Sequence, residues 1–369
     1  MGIKVLIYRK KGKLFKMNLM RKNETRMEER MYFMKAVGFF ESLSIDNSES
    51  LQNITKDKPK AEDHDILVRV KAVSVNPVDT KVRMSGAEKT EEARVLGFDA
   101  AGIVEEVGER CQLFKPGDEV YYAGDITRPG TNSEFHLVDE RIAGKKPKSL
   151  SFAESAAMPL TMLTAWEGLF ERMGISSEKD KRKPILIIGG AGGAGSAAIQ
   201  LAKLAGLEVI ATASREESAD WCRELGADHI INHKQELLPQ LQQSGFPDVP
   251  YIFCLNDTAG HWESMAEIIS PQGIVCSIVE TEEKLDLTML QHKSAAFVWE
   301  FMFTRSTYMT DDVREQHRIL NEAAEMIDKG VLRSTLTETL SPINAEQIRE
   351  AHRKVESGRM IGKVVIAED

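Results

Sequence analysis

The stretch Ile185-Leu-Ile-Ile-Gly-Gly-Ala-Gly-Gly-Ala-Gly195, continued by Ser-Ala-Ala-Ile-Gln-Leu-Ala-Lys203, decides the fold. It reads as a buried strand, a tight glycine turn and the opening of a helix. Gly190, Gly192 and Gly195 stand at the spacing of a dinucleotide-binding fingerprint, with Gly193 and Ala194 between them. Glycines there permit the turn, let backbone approach a pyrophosphate and let helix pack closely on strand. The pyrophosphate then rests on free N–H groups at the helix N-terminus. A second strand, Leu207-Glu-Val-Ile-Ala-Thr-Ala213, completes the unit. Sites for NAD usually place an acid near the end of that strand to bind the ribose 2′-hydroxyl. Here the residues are Ser214 and Arg215, a hydroxyl and a guanidinium that suit a 2′-phosphate. The expected cofactor is therefore NADP(H). The plainer alternative makes Ser214 an N-cap and Arg215 a solvated helix start.

Outward from this unit, apolar strands alternate with helices from Pro184 to Phe297. The strands are Ile185–Ile188, Val209–Ala213, His229–Ile231, Tyr251–Leu255, Ile274–Ile278 and Ala295–Val298, with helices near 195–205, 216–225, 261–269 and 286–291. Six strands with crossovers predict a doubly wound parallel sheet, so the fold class is α/β. Before it, Met34–Phe40, Asp65–Val75 and Ala101–Val107 read as strands of a mainly β unit; Val68–Val75 alternates with period two. After it come a helix at 312–329, a helix at 343–356 and a strand at 363–366 that returns to the first unit.

At 369 residues the chain exceeds what one core usually serves. A net charge of −9 disfavours nucleic acid and anionic membrane as partners. The four cysteines, Cys111, Cys222, Cys254 and Cys276, form no close pair, which points to a reducing, cytoplasmic setting. No apolar run approaches the roughly 18 residues a membrane span needs. Residues 1–33 are strongly basic and are read as an extension, with a short strand at Ile3–Tyr8.

Several ordered motifs carry a resemblance. Gly97-Phe-Asp-Ala-Ala-Gly-Ile-Val-Glu-Glu-Val-Gly108, Pro116-Gly-Asp-Glu-Val120 and the glycine turn resemble the medium-chain dehydrogenase/reductase superfamily. Asn76-Pro-Val-Asp-Thr80, Met158-Pro-Leu-Thr-Met-Leu-Thr-Ala165 and Trp299-Glu-Phe-Met-Phe-Thr-Arg305 resemble its quinone oxidoreductase branch, including the zinc-type alcohol dehydrogenase-like proteins. The resemblance implies a GroES-like β domain, residues 34–159 and 304–369, interrupted by a Rossmann domain, residues 160–303, with the active site in the cleft. It also implies a homodimer, paired through the edge strand Ala295–Trp299.

The family's zinc enzymes use two cysteines and a histidine. By alignment those positions are Asn76, Phe98 and Leu160, and the four-cysteine structural lobe is absent. No zinc is expected. Without a Lewis acid, reduction of a quinone or an α,β-unsaturated carbonyl is favoured, because its negative charge spreads to a distant oxygen. The alternatives are a zinc-free NADPH-dependent aldehyde/alcohol oxidoreductase, or a non-catalytic NADPH-binding, RNA-associated protein; the acidic balance opposes RNA.

Individual roles follow from the resemblance. Thr164 matches a threonine beside the nicotinamide, and His233 an aromatic residue near the adenosine phosphate. Asn76 and Asp79 match a polar loop under the nicotinamide, or else stabilise that turn. Lys81 stands where a proton-relay histidine would be, and is either a donor to substrate or a surface lysine. Tyr122 either lines the substrate pocket or packs in the core. Asp99 is read as a structural hydrogen-bonding residue.

Overall fold

Residues 33–86 and 88–368 are described by the computed structural model. The basic segment, with the Ile3–Tyr8 expectation, lies outside the described residues except for Phe33, which opens the first strand. The strands of the first unit are Phe33–Phe39 (β1), Gln52–Asp57 (β2), Asp65–Ser74 (β3), Arg94–Val95 (β4), Asp99–Val107 (β5), Glu119–Tyr122 (β6), Phe135–Asp139 (β7) and Ala143–Lys145 (β8). Helices Pro77–Arg83 (α1), Phe152–Ala156 (α2) and Pro159–Trp166 (α3) accompany them.

The second unit continues with β9 (Pro184–Ile188), α4 (Gly193–Leu204), β10 (Glu208–Thr212), α5 (Glu216–Glu224), β11 (His229–Ile231) and α6 (Leu237–Gln243). It then runs through β12 (Val249–Cys254), α7 (Thr258–Ile268), β13 (Ile269–Ser277) and β14 (Ala296–Trp299). These strands make a six-stranded sheet, ordered β11-β10-β9-β12-β13-β14, with every pair parallel. Ile185–Ile188 are wholly buried, covered by helices on both faces. Each such side chain contributes about 1.5–3 kcal/mol relative to an exposed one. The strand order reverses between β9 and β12, which opens a crevice at the carboxyl ends of the strands.

The chain closes with α8 (Thr304–Tyr308), α9 (Glu315–Asp328), β15 (Leu336–Leu340), α10 (Ala345–Glu356) and β16 (Lys363–Ala367). β16 pairs antiparallel with β3, completing a seven-stranded sheet; β1, β2 and β4 form a separate small one. The Gly362 N–H donates to Ala191 O at 2.9 Å, so the last strand touches the glycine turn itself.

Local chemistry explains the departures from the sequence reading. The helix expected at 261–269 begins at Thr258 because Asp257 accepts the Gly260 N–H at 2.9 Å. The helix expected near 286–291 is a 3-10 turn, Leu287–Lys293. β2 went unread because its residues, Gln-Asn-Ile-Thr-Lys-Asp, are half-exposed or exposed at the margin of the small sheet. α6 went unread because Pro239 interrupts it, although proline is tolerated in a first turn.

One buried pair of elements has a pH signature. His352 of α10 is wholly buried, both ring nitrogens lack hydrogen-bond partners, and burial with the neighbouring Arg83 charge pushes its pKa down to about 3. Burial likewise lowers His136 to about 4. Both are neutral when folded and bind a proton below about 6.5 when unfolded. Their stabilisation is complete above pH 6.5 and is lost as pH falls from there towards 3–4. Raised carboxyl groups such as Asp79 act in the opposite sense over this range, so the prediction is a difference: in chemical denaturation between pH 7 and 4, His352→Leu should gain about 2–4 kcal/mol relative to the unmodified protein as pH falls. An unchanged slope in the variant would refute the assignment.

Candidate functional site

Gly189 carries the positive backbone angle of the glycine turn, φ +86°, one residue before the fingerprint read from the sequence. Its N–H donates to Thr212 Oγ1 at 3.0 Å. A Cβ on Gly190 would stand 2.9 Å from Ala211 Cβ, so that glycine serves the packing of the turn on β10. A Cβ on Gly195 would lie 2.3 Å from Gly189 O, which enforces glycine inside the first turn of α4. No side chain caps α4 at Gly192. Its N-terminus therefore faces the crevice as an anion site.

That crevice is a cavity of about 810 Å³ between the two units. Gly192, Gly193, Ala194, Gly195, Ser214, Arg215, His233 and Thr164 all line it; Gly190 does not. At one end Arg215 occupies the N-cap position of α5, displacing the expected Ser214, and its Nη2 donates to Arg359 O at 2.7 Å. That bond uses one of five guanidinium N–H groups. The buried His233 Nδ1 has no partner; burial and the neighbouring His261 hold this ring below its ordinary pKa. An unpartnered ring nitrogen, a guanidinium, a hydroxyl and an open helix N-terminus make this end fit a phosphorylated dinucleotide.

The other end is built from the Asn76 loop, α3 and Trp299–Phe303. Asn76 is 1% exposed; its Nδ2 donates to Asp99 Oδ2 at 2.7 Å and its Oδ1 accepts from the Lys363 ammonium. Lys363 also donates to Val75 O at 3.0 Å and Asp99 Oδ2 at 3.2 Å. Ser74 Oγ and the Leu160 N–H complete the shell of Asp99, giving it the structural role expected. Burial lowers the Lys363 pKa, and Asp99 opposes the shift. Thr164 Oγ1 donates to Leu160 O at 2.8 Å, as helix hydroxyls commonly do, while its side chain remains in the cavity wall. Lys81 also lines the cavity and pairs with Glu280 at 2.8 Å across the mouth, with side chains 45% and 75% exposed.

Two expected catalytic residues stand elsewhere. Asp79 is wholly buried behind the loop, accepting the Asn76 N–H at 2.8 Å and the Gly97 N–H at 3.0 Å; burial raises its pKa to about 7. It holds the loop and does not line the cavity. Tyr122 stacks on His136, its hydroxyl 3.1 Å from Nδ1, in the core of the first unit. The alternating pleat of β6 points Tyr122 away from the cleft. Two residues went unassigned in the sequence reading. Lys363 sits in an apolar strand and reveals itself only when β16 meets the Asn76 loop. Glu300 belongs to a motif whose family likeness was evident but whose role was not.

No metal donors meet here. Phe98 is 2% exposed with its ring 5.1 Å from that of Phe303, Leu160 is aliphatic, and the Asn76 carbonyl is committed to Lys363. Among the described residues, no three His, Cys, Asp or Glu side chains gather as a metal site.

Comparison with known proteins gives the frame. Residues 62–166 match the family of alcohol dehydrogenase GroES-like domains, and residues 225–366 match the family of zinc-binding dehydrogenases. A zinc-type alcohol dehydrogenase-like protein of Staphylococcus epidermidis is 42% identical over 335 residues, 90% of this chain and 99% of its own. The 2-methylene-furan-3-one reductase of Solanum lycopersicum is 31% identical over 345 residues, covering 90% and 79%. A crystal structure of a Rhizobium etli protein, provisionally assigned as a zinc-dependent alcohol dehydrogenase, is 48% identical with a TM-score of 0.87, covering 91% and 98%.

The crowding at Gly195 is directly testable. Gly195→Ala should cost about 1–3 kcal/mol of stability through overpacking, and should weaken dinucleotide binding at least tenfold in a fluorescence titration. Binding equal to that of the unmodified protein would show that the turn does not hold the diphosphate.

Proposed function

The chain belongs to the zinc-type alcohol dehydrogenase-like branch of the medium-chain dehydrogenase/reductase superfamily, and we propose that this oxidoreductase reduces a quinone or an α,β-unsaturated carbonyl with NADPH, without catalytic zinc. The donor set carries this reading: Asn76, Phe98 and Leu160 stand where zinc ligands would have to be. Phenylalanine and leucine have no lone pair to give a metal. A plant relative named as a reductase of 2-methylene-furan-3-one, a methylene conjugated to a ketone, supports the enone choice.

The residues divide the work by position. Gly192–Gly195 would hold the diphosphate on the N-terminus of α4, and Ser214 with Arg215 would bind the 2′-phosphate that an acid would repel. Thr164, in the cavity wall, would lie against the nicotinamide, which supplies a hydride when bound. Phe303 and Leu160, both in the cavity wall, keep the reacting region apolar, so charge forming on the substrate is not screened by bulk water. The substrate is a small molecule of the cytoplasm.

An NADPH-oxidation screen tests the reading. Quinones and enones should be reduced faster than saturated aldehydes, chelators should change nothing, and the purified protein should hold no stoichiometric zinc. NADPH should bind more tightly than NADH, and Arg215→Ala should weaken NADPH alone by about 1.5–3 kcal/mol, the worth of a charge-assisted hydrogen bond. Zinc lost together with turnover, or equal affinity for both cofactors, would reject it.

We further propose a homodimer through β14. This strand is the edge of the parallel sheet, and Trp299 and Phe301 beside it are each 48% exposed. The helix at 315–328, which would otherwise be a candidate cover, packs on β8 and α3 instead. Symmetric pairing closes such an edge. Light scattering should give a dimer, and Ala296→Lys or Phe297→Lys should dissociate it. A monomer for the unmodified chain would end the proposal.

A further inference from the structure

Between β14 and α8 the side chains alternate. Trp299 and Phe301 are each 48% exposed, whereas Glu300 and Met302 are each 3% exposed. The alternation places the Trp299 and Phe301 rings on one side of the chain. Both residues line the cavity, at the end away from Arg215. Each ring is braced by a ladder of others. Trp262, which is buried, meets Phe297 edge-on with centroids 5.4 Å apart, and Phe297 meets Trp299 at 4.8 Å and 90°. On the other side the buried Phe98 meets Phe303 at 5.1 Å, and Phe303 meets Phe301 at 5.4 Å. Edge-to-face pairs of this kind fix ring orientation as well as burying area. Two open rings of the cavity wall are thus held from behind by rings of the core.

The charged groups of the same wall offer nothing to a charged substrate. Lys81 is paired with Glu280 at 2.8 Å. The Lys363 ammonium uses its three N–H groups on Val75 O, Asn76 Oδ1 and Asp99 Oδ2. Glu300 is buried against Arg172, whose Nε lies 3.3 Å from its Oε2. Arg215, the remaining guanidinium or ammonium of the cavity wall among the described residues, stands at the dinucleotide end. A carboxylate or phosphate on the substrate would therefore lose its water with no cation free to replace it. An aryl ring or an alkyl tail would instead exchange water for two preorganised rings, with little further ordering of the protein.

We propose that Trp299 and Phe301 are specificity-determining residues of the reduction, forming a platform on which the apolar part of an uncharged substrate lies. The preferred substrates are quinones and enones that carry an aryl ring or an alkyl tail, and those that carry a carboxylate or a phosphate are rejected. This rests on the reading of the protein as an NADPH-dependent enone or quinone reductase. In this role the rings touch no reacting atom. They bind the part of the substrate that does not change, so their contribution is equal in ground state and transition state and appears in KM. Pairing of β14 with a second copy leaves the platform open, because edge hydrogen bonds lie in the plane of a sheet and side chains stand out of it.

The first readout needs no turnover. Of the four tryptophans, only Trp299 lines the cavity. In the NADP⁺-loaded protein, a saturated methyl ketone with a nonyl tail, which NADP⁺ cannot reduce, should quench tryptophan fluorescence to saturation. The same ketone with its tail ending in a carboxylate should not quench at equal concentration, and Trp299→Phe should remove most of the quenching. The second readout is a series of methyl ketone enones whose tail lengthens from methyl to pentyl. In the unmodified protein kcat/KM should climb about two- to fourfold per methylene, as burial of a methylene predicts, at nearly constant kcat. Trp299→Ala combined with Phe301→Ala should flatten the series and raise KM for the pentyl member on the order of tenfold with kcat within a few-fold. Trp299→Phe should keep most of the slope. A flat series in the unmodified protein, a slope that survives in the double variant, or equal quenching by the charged ketone overturns the platform. Failure of every enone and quinone to oxidise NADPH overturns the reductase reading instead, and the quenching titration then decides whether the platform stands. Should a variant fail to fold by circular dichroism, the unmodified protein decides alone, through the chain-length series and the paired ketones.

Discussion

A single buried ammonium organises the cleft. Lys363 is 4% exposed and places its charge among Val75 O, Asn76 Oδ1 and Asp99 Oδ2. Taking a lysine and an aspartate out of water is unfavourable, and the pair holds only because every donor and acceptor finds a partner. Removing one partner from such a pair costs about 3–5 kcal/mol, since a lone buried charge remains. Three elements are therefore locked around one point: β16 through Lys363, the Asn76 loop, and the start of α3 through the Leu160 N–H on Asp99. The stem of Lys363 also passes under the dinucleotide turn, where a Cβ on Gly193 would lie 2.7 Å from Lys363 Cδ. The end of the chain thereby fixes the cofactor turn against the GroES-like unit. Asp79 secures the same loop from behind with its two accepted N–H bonds.

Much of this was legible in the sequence, and what was not has physical reasons. The continuous apolar runs of β9, β10 and β12 identify themselves because a strand covered on both faces needs no polar residue. The glycine turn identifies itself because side chains are excluded there by contact, although Gly189, and not Gly190, bears the positive φ. Residues whose meaning depends on distant partners were harder to read. Asn76 and Asp79 are the N-cap and the third residue of α1, and only the structure separates the residue that lines the cavity from the one bracing it. Tyr122 is one pleat away from Tyr121, and neighbouring strand positions point to opposite faces. Lys363 and Asp99 lie 264 positions apart and meet only after the chain has wrapped the parallel sheet.

The exchange of metal ligands for hydrocarbon has a further consequence. A zinc ion stabilises negative charge on a substrate oxygen with no need for proton transfer. Phe303 and Leu160 of the cavity wall, with Phe98 buried against Phe303, have no means of doing so. Charge that develops in such a wall must be dispersed within the substrate or neutralised by a proton. Dispersal selects conjugated acceptors, which is why the reading favours quinones and enones over simple aldehydes. Neutralisation calls for a donor that stays protonated at neutral pH. Lys81, a candidate for that role, lines the cavity and is paired with Glu280 at 2.8 Å.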